Sequence, residues 1–182
     1  MHFIIFDLEA TCWTEESPLL EQEIIEIGAF YVDPYAQIQD RFHSMVRPVI
    51  HPYLSPFCRQ LTTIAQEEVD DAPTFDRAFK QWEDWAEELD KPDLVYCSWG
   101  SGDLDLLEHD CHYHDLDWSW KNRHFDVKKA YNRKKRRSGK PYGLRTALKK
   151  EDIELEGQHH RALDDAYNLA KLFCRYIDEW DY

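Results

Sequence analysis

The chain opens on a nearly continuous apolar run, Phe3 to Leu8, and a second follows from Ile24 to Val32. Runs that are apolar at successive positions, not just alternate ones, suit strands covered on both faces. Asp33-Pro34 marks a turn, and Gln37 to Val46 reads as a third strand returning beside the second. The middle of the chain changes period. Thr63-Ile-Ala-Gln66 has the form of a capping box and predicts a short helix to about Val69. After Pro73, Phe75, Phe79, Trp82, Trp85 and Leu89 recur every three or four residues, the stripe of an amphipathic helix. Leu94 to Trp99 predicts another strand. Gly100-Ser-Gly102 breaks it, and Leu104, Leu106 and Leu107 begin a helix. Phe125 ends a short strand, Leu144 to Lys150 forms a helix, and Ala162 to Trp180 forms a long C-terminal one. Strands first, then strands alternating with helices, imply a mixed α/β fold. With no repeat or linker visible, residues 1–182 are expected to form a single domain.

Charge changes the picture in one place. The net charge is −14, which disfavours a polyanionic partner for the body as a whole. Between Lys128 and Lys140, however, there are eight basic residues and no acid, leaving 14 basic residues against 36 acidic ones elsewhere. Such a chain should grip nucleic acid weakly and locally. The Lys128–Lys140 run itself reads either as a backbone-tracking patch, with Tyr131 and Tyr142 available for stacking, or as a solvated loop. No leader and no membrane-spanning run is expected. Five widely spaced cysteines without a CxxC pair point to reduced thiols in a cytoplasmic protein. His109, Cys111, His112 and His114 lie close in sequence but lack a second ligand cluster, so zinc is not expected there.

Three acidic features carry candidate chemistry. Asp7 and Glu9 end the first strand two residues apart, so their side chains share a face. Like charges at the end of a buried strand repel and lose hydration, and divalent cations with a taste for hard oxygen ligands remove both penalties. Asp103 follows the glycine turn at the mouth of a helix, where α/β folds build sites. Finally, His160 precedes Asp165 by five residues. On a helix that spacing diverges by about 140°. The two converge only if His160 lies at or before the helix start. His159 and Asp164 have the same spacing, and the apolar stripe Leu163, Ala166, Tyr167 and Ala170 does not choose between the registers.

FDLEATCW (6–13), CSWGSGD (97–103) and HRALDDAYNLA (160–170) together resemble the three motifs of the DEDDh, or DnaQ-like, 3′→5′ exonuclease family. The nearest likeness is to the subgroup of histone-mRNA and siRNA-degrading exonucleases and sporulation-inhibitor-type relatives. FCRQLTTIAQEEVDDAPTF (57–75) and PYGLRTALKKEDIELEGQHHRALDDA (141–166) extend it over essentially the whole chain. The resemblance implies a ribonuclease H-like mixed sheet flanked by helices. It implies two divalent ions, Mg²⁺ or Mn²⁺, held by Asp7, Glu9, Asp103 and Asp165. His160 would be the general base, which resolves the register towards Asp165. It places a terminal nucleotide near Ala10, Thr11, Leu61 and Thr62, with Phe57 as a stacking candidate. Two departures stand out. Thr63 occupies the usual glycine of the LTGI segment, expected only to improve a helix cap. Gly102 stands where relatives often carry an aromatic, so a looser grip on the terminal base is expected.

The expected activity is removal of nucleoside 5′-monophosphates from the free 3′ end of single-stranded RNA, by a two-metal mechanism. DNA trimming by the same chemistry and non-catalytic nucleic-acid binding are the competing readings. Trp13 and Trp99 flank the acidic motifs; burial is expected for both, and a place in the cleft wall is the alternative.

Overall fold

The computed structural model describes residues 1–14, 21–135 and 138–182. Five strands, β1 (His2–Ala10), β2 (Ile24–Val32), β3 (Ile38–Met45), β4 (Leu94–Ser98) and β5 (His124–Asp126), form one mixed sheet in the order β3-β2-β1-β4-β5. β1 runs antiparallel to β2 and parallel to β4, with β5 parallel beyond β4 and β3 antiparallel beyond β2. The two long apolar runs thus become the two inner strands of the first meander, and β2 is buried at all nine positions.

Side-chain parity sorts β1 between two cores. Ile4, Phe6 and Leu8 pack on one face with Phe75, Phe79 and Trp82 of α3 (Phe75–Glu88) and Leu107 of α4 (Gly102–Tyr113). Phe3 and Ile5 pack on the other with Val127 and Tyr131 of α5 (Val127–Lys135). Leu144 and Leu148 of α6 (Leu144–Lys150) and Leu169 and Phe173 of α7 (Ala162–Arg175) complete that core. Asp7 and Glu9 continue the parity of Phe3 and Ile5, so they face the α7 side. A smaller cluster of Ile25, Leu54, Cys58, Ile64 and Val69 seats α1 (Pro56–Thr62) and α2 (Gln66–Asp70). Among the described residues no helix is long and apolar enough to cross a membrane.

Three elements differ from the sequence reading. Thr63 does not begin a helix. It ends α1, with φ 60 in the left-handed region. Ser55 caps α1 by accepting the Cys58 N–H (2.9 Å), and Pro56 sits in the first turn, where its missing N–H costs nothing. α2 starts two residues later than the capping-box reading placed it, with Ala65 at the N-cap and the Glu68 carboxylate accepting the Ala65 N–H (2.7 Å). The basic run is largely helical. Asp126 accepts the Lys129 N–H (2.8 Å), and Val127, Ala130 and Tyr131 bury the i, i+3, i+4 stripe of α5. Arg136 and Arg137 lie outside the described residues. The C-terminal helix stops at Arg175, followed by a 3-10 turn at Ile177–Glu179. Trp180 folds back there, its Nε1 donating to the Phe173 carbonyl (3.0 Å).

A β-branched residue held at positive φ costs on the order of 1 kcal/mol or more, and glycine escapes that cost. Thr63→Gly is therefore expected to stabilise the fold by roughly 1 kcal/mol despite the greater freedom of glycine in the unfolded chain. Thermal melts of the two proteins measure this; an unchanged or lower midpoint for the variant would remove the claim of strain.

Candidate active site

β4 pairs with β1 only as far as Ile5↔Cys97 and ends at Ser98. Beyond that point the two strands separate, and a cleft of about 1120 Å³ opens over the C-terminal end of β1. Asp7, Glu9, Asp103, His159, His160 and Asp165 all line it. Asp7, Glu9 and Asp165 each offer a carboxylate oxygen within 4.8 Å of the other two. Asp103 stands in the first turn of α4, where the Leu8 N–H, left free by the departure of β4, reaches its carboxylate.

The helix α7 reaches this cluster because β2 carries no side chain where they meet. A Cβ on Gly28 would lie 2.3 Å from the Leu163 nitrogen and 2.4 Å from the Ala162 carbonyl carbon. Gly28 pairs with Asp7 across the sheet, so the close approach brings the start of α7 against the catalytic end of β1. The chain turns into α7 through His160, whose φ is 66. That turn allows the His160 N–H to donate to Asp165 Oδ2 (2.9 Å). The sequence requirement that His160 lie before the helix is met, since α7 begins at Ala162.

Both histidines reach the site. Their rings stack with centroids 3.9 Å apart. His159 Nδ1 lies 2.9 Å from Asp165 Oδ2, while His160 Nδ1 lies 3.8 Å from Glu9 Oε1. Asp165, not Asp164, faces the cluster; Asp164 instead accepts the Gln158 N–H (2.7 Å).

The cluster is electrostatically strained. Burial, then the charges of Asp103, Glu9 and Asp165, push the Asp7 carboxyl well above the usual range. Burial and the neighbouring acids push Glu9 up to about 8, and burial raises Asp103 to about 7. Burial lowers the His160 pKa, the adjacent His159 lowers it further, and Asp165 pulls it back. Among the described residues no lysine or arginine forms an ion pair with any of the four acids. Oxygen donors crowded without a cation are the ligand chemistry of a divalent ion.

The opposite wall of charge comes from α5 and the start of α6: Lys128, Lys129, Asn132, Arg133 and Arg145 also line the cleft. Sequence reasoning pointed to the run but not to Arg145 or Asn132. Asn132 accepts the Tyr142 N–H (2.7 Å) and so pins the segment leading to α6. The remaining candidates stand apart from the cleft lining. Ala10 and Thr11 are buried, and the Thr11 hydroxyl accepts the Glu23 N–H (2.9 Å). Thr62 is wholly buried and donates to the Cys58 carbonyl (2.8 Å). Phe57 and Leu61 are half-exposed on α1, which is tied to the exit of β1 by the Ser55 hydroxyl donating to the Cys12 carbonyl (2.6 Å). Trp13 and Trp99 are only half-buried, and Trp99 lines the cleft. Cys111 is in the core and His109 pairs with Asp110, so this group forms no metal cluster among the described residues.

Sequence reasoning missed Glu26 and Arg161. Glu26 is 1% exposed, yet its pKa is lowered. Burial alone would raise it; the His43 ring, the Ala162 N–H and the Arg161 guanidinium outweigh burial. The signal lay in the β1–β2 register, where Glu26 stands opposite Glu9.

A mixed five-stranded sheet bearing four acids and a histidine at the end of its central strand defines a ribonuclease H-like nuclease architecture. Comparison with known proteins is specific: a family model described as exonuclease matches residues 4–173, and the chain belongs to that family. It is 32% identical to the Xenopus laevis protein named ERI1 exoribonuclease 2, over 97% of this chain and 28% of that one. It is 30% identical to the Homo sapiens 3'-5' exoribonuclease 1, over 98% of this chain and 53% of that one. The chain thus spans between about a quarter and a half of these relatives' lengths. The solved nuclease domain of 3'hExo, described as a DEDDh family member bound to rAMP, superposes with a TM-score of 0.92 at 29% identity, covering 98% of this chain and 92% of that one.

Acids whose pKa is raised by folding stabilise the protein only while protonated. That contribution is complete below the ordinary carboxylate range and is lost as pH rises through about 7 to 8, the values of Asp103 and Glu9. A divalent ion acts in the opposite sense, because it binds the ionised cluster. Saturating Mn²⁺ should therefore raise the thermal midpoint more at pH 8.5 than at pH 5. Equal shifts at both values would show that these acids do not take up the ion.

Proposed function

We propose that this chain is a 3′→5′ exoribonuclease domain that removes nucleoside 5′-monophosphates from single-stranded RNA using two divalent ions, Mg²⁺ or Mn²⁺. The observation that carries this reading is the convergence of Asp7, Glu9 and Asp165 within one ligand sphere, with Asp103 in the same cleft. The names of the relatives agree with it. Asp7, Glu9, Asp103 and Asp165 would hold the ions. When bound, such ions neutralise the acids and act as Lewis acids toward the scissile phosphate, the attacking water and the leaving oxygen.

The chain's own residues do the rest. His160, whose pKa is lowered by burial and by the neighbouring His159, takes the proton from the attacking water. Asp165 accepts the His160 backbone N–H and so holds the turn that presents this residue to the cleft. Lys128, Lys129, Arg133 and Arg145 draw the phosphate backbone along the cleft toward the acids. Half-exposed Phe57 and Leu61 of α1 would meet the 3′-terminal nucleotide, with buried Ala10, Thr11 and Thr62 supporting them from behind. The five free thiols suit a reducing cytoplasm.

Asp7→Ala should reduce turnover of 5′-labelled single-stranded RNA by about 10³-fold or more, and His160→Ala by at least ~10²-fold. His159→Ala should lose less than about tenfold, since its ring meets Asp165 from outside the proposed proton path. Parallel assays on DNA of equal sequence separate RNA cleavage from DNA trimming. Absence of hydrolysis of either polymer with both ions would favour a binding protein. A larger loss in His159→Ala than in His160→Ala would transfer the base role.

Lys129 and Arg145 enter no ion pair among the described residues. Neutralising both should raise KM several-fold at low salt and flatten its dependence on salt by about two phosphate contacts, with kcat nearly unchanged. An unaltered salt dependence would place the RNA elsewhere.

A further inference from the structure

We infer that the buried Glu26–Arg161 pair is the positioning device of this site: it fixes the start of α7, and with it His160 and Asp165, against β1, and it holds Glu26 out of the acid cluster. This deepens the nuclease reading above and rests on it.

The geometry sets a problem that the pair solves. Glu26 stands directly opposite Glu9 in the β1–β2 register, so the two side chains share the face on which Asp7 projects. The Glu26 charge already raises the Asp7 and Glu9 carboxyls, and an unpaired carboxylate there would also compete for cations. Both oxygens of Glu26 are instead occupied. His43 Nε2 lies 2.8 Å from Oε1, the Ala162 N–H donates to Oε2 (2.9 Å), and Arg161 Nε reaches both oxygens at 3.2 Å.

Arg161 is the residue that caps α7, immediately after His160. Its Nη2 donates onward to Glu68 Oε1 (3.3 Å) and approaches Met45 Sδ (3.8 Å). Glu68 in turn holds the Ala65 N–H at the start of α2, just beyond Leu61 and Thr62. One guanidinium therefore ties the helix bearing Asp165 to β2, to β3 and to the segment proposed to seat the terminal nucleotide. The first turn of α7 lies on the bare backbone of Gly28, whereas larger side chains further along, Tyr167 against Phe30 and Leu169 and Phe173 in the core, pack the rest of the helix.

Losing the pair should misplace the proton acceptor and one ligand while leaving the basic wall intact. The effect then falls on kcat and not on KM. The test uses the full chain carrying Arg161→Met, Arg161→Lys, Glu26→Gln or Glu26→Gln with Arg161→Met. Each is assayed on 5′-labelled single-stranded RNA, melted, and titrated with Mn²⁺ by calorimetry. Arg161→Met is expected to lose roughly 10²-fold in kcat, the scale of an ångström-sized misplacement, with KM within about threefold and Mn²⁺ binding weakened about tenfold. Arg161→Lys should keep more activity than Arg161→Met. The double variant should recover at least about tenfold over Arg161→Met, because the unpaired carboxylate is gone. A folded Arg161→Met with wild-type kcat, or a double variant no better than Arg161→Met, would overturn the inference. Should Arg161→Met not fold, Glu26→Gln reads the same role through an expected kcat loss of about tenfold, and an unchanged kcat sinks it. If the unaltered chain cleaves neither RNA nor DNA, the nuclease reading fails on its own; the Mn²⁺ titration still judges the pair, and equal affinity in the variants counts against it.

Discussion

Carboxylates on alternate residues at the end of a buried strand set the terms for everything around them. The sheet's twofold side-chain period aims Asp7 and Glu9 at one face, and the core packed along that face denies them water. Burial first, and then their mutual repulsion with the charges of Asp165 and Asp103 added, lift their pKa values far enough that the site is poorly matched to its own charge. Such a cluster is stable with protons or with cations. Under the proposed function the working state at neutral pH is the one with cations, and the same charge that threatens the fold would become the affinity of the site.

The sheet must also accommodate an acid that takes no part in that exchange. Glu26 belongs by register to the same face, but both of its oxygens are occupied by an arginine, a histidine and a backbone amide. Two modes of charge compensation thus sit side by side on adjacent strands. The division depends on α7 lying close to β2, which Gly28 permits, and on the chain turning through a left-handed residue before the helix starts. Histidine tolerates that conformation better than β-branched residues do, so the backbone demand and the chemical role coincide at His160.

How much of this could be read beforehand follows from the range of the interactions. The inner strands were legible because being buried on both faces leaves uninterrupted apolar runs, and α3 and α6 because one buried face leaves a stripe. α1 and α5 were not read. α1 is short, and its Ser55-Pro56 start was passed over for the stronger-looking capping pattern at Thr63, which in the fold ends a helix. The α5 stripe was masked by its density of lysine and arginine, although Val127, Ala130 and Tyr131 were there to be counted. Asp7, Glu9, Asp103 and Asp165 were legible as a set only through their resemblance to a family, since each alone has an ordinary explanation. Glu26 and Arg161 lie 135 residues apart and meet only through the sheet register, a relation that local pattern does not encode.

The charge map reconciles an acidic protein with a polyanionic substrate. α5 divides its basic residues by position. Lys134 and Lys135, on the far side, are engaged by Glu179, Glu151 and the Tyr176 ring, and Arg133 also pairs with Asp181 (2.7 Å). Lys128 and Lys129 remain at the cleft, and the Lys128 side chain packs over Gly100 beside Asp103. Of the α5 residues at the cleft, Lys128 and Lys129 thus keep their charge near the acids, while that of Arg133 is shared with Asp181. The whole chain's net charge of −14 would repel RNA bound out of register. Under the proposed function, only a strand whose end reaches the acid cluster would gain enough attraction to stay. A cleaved nucleotide would then face the acidic body without the backbone contacts that held its parent, so the charge distribution that admits the strand would also favour release.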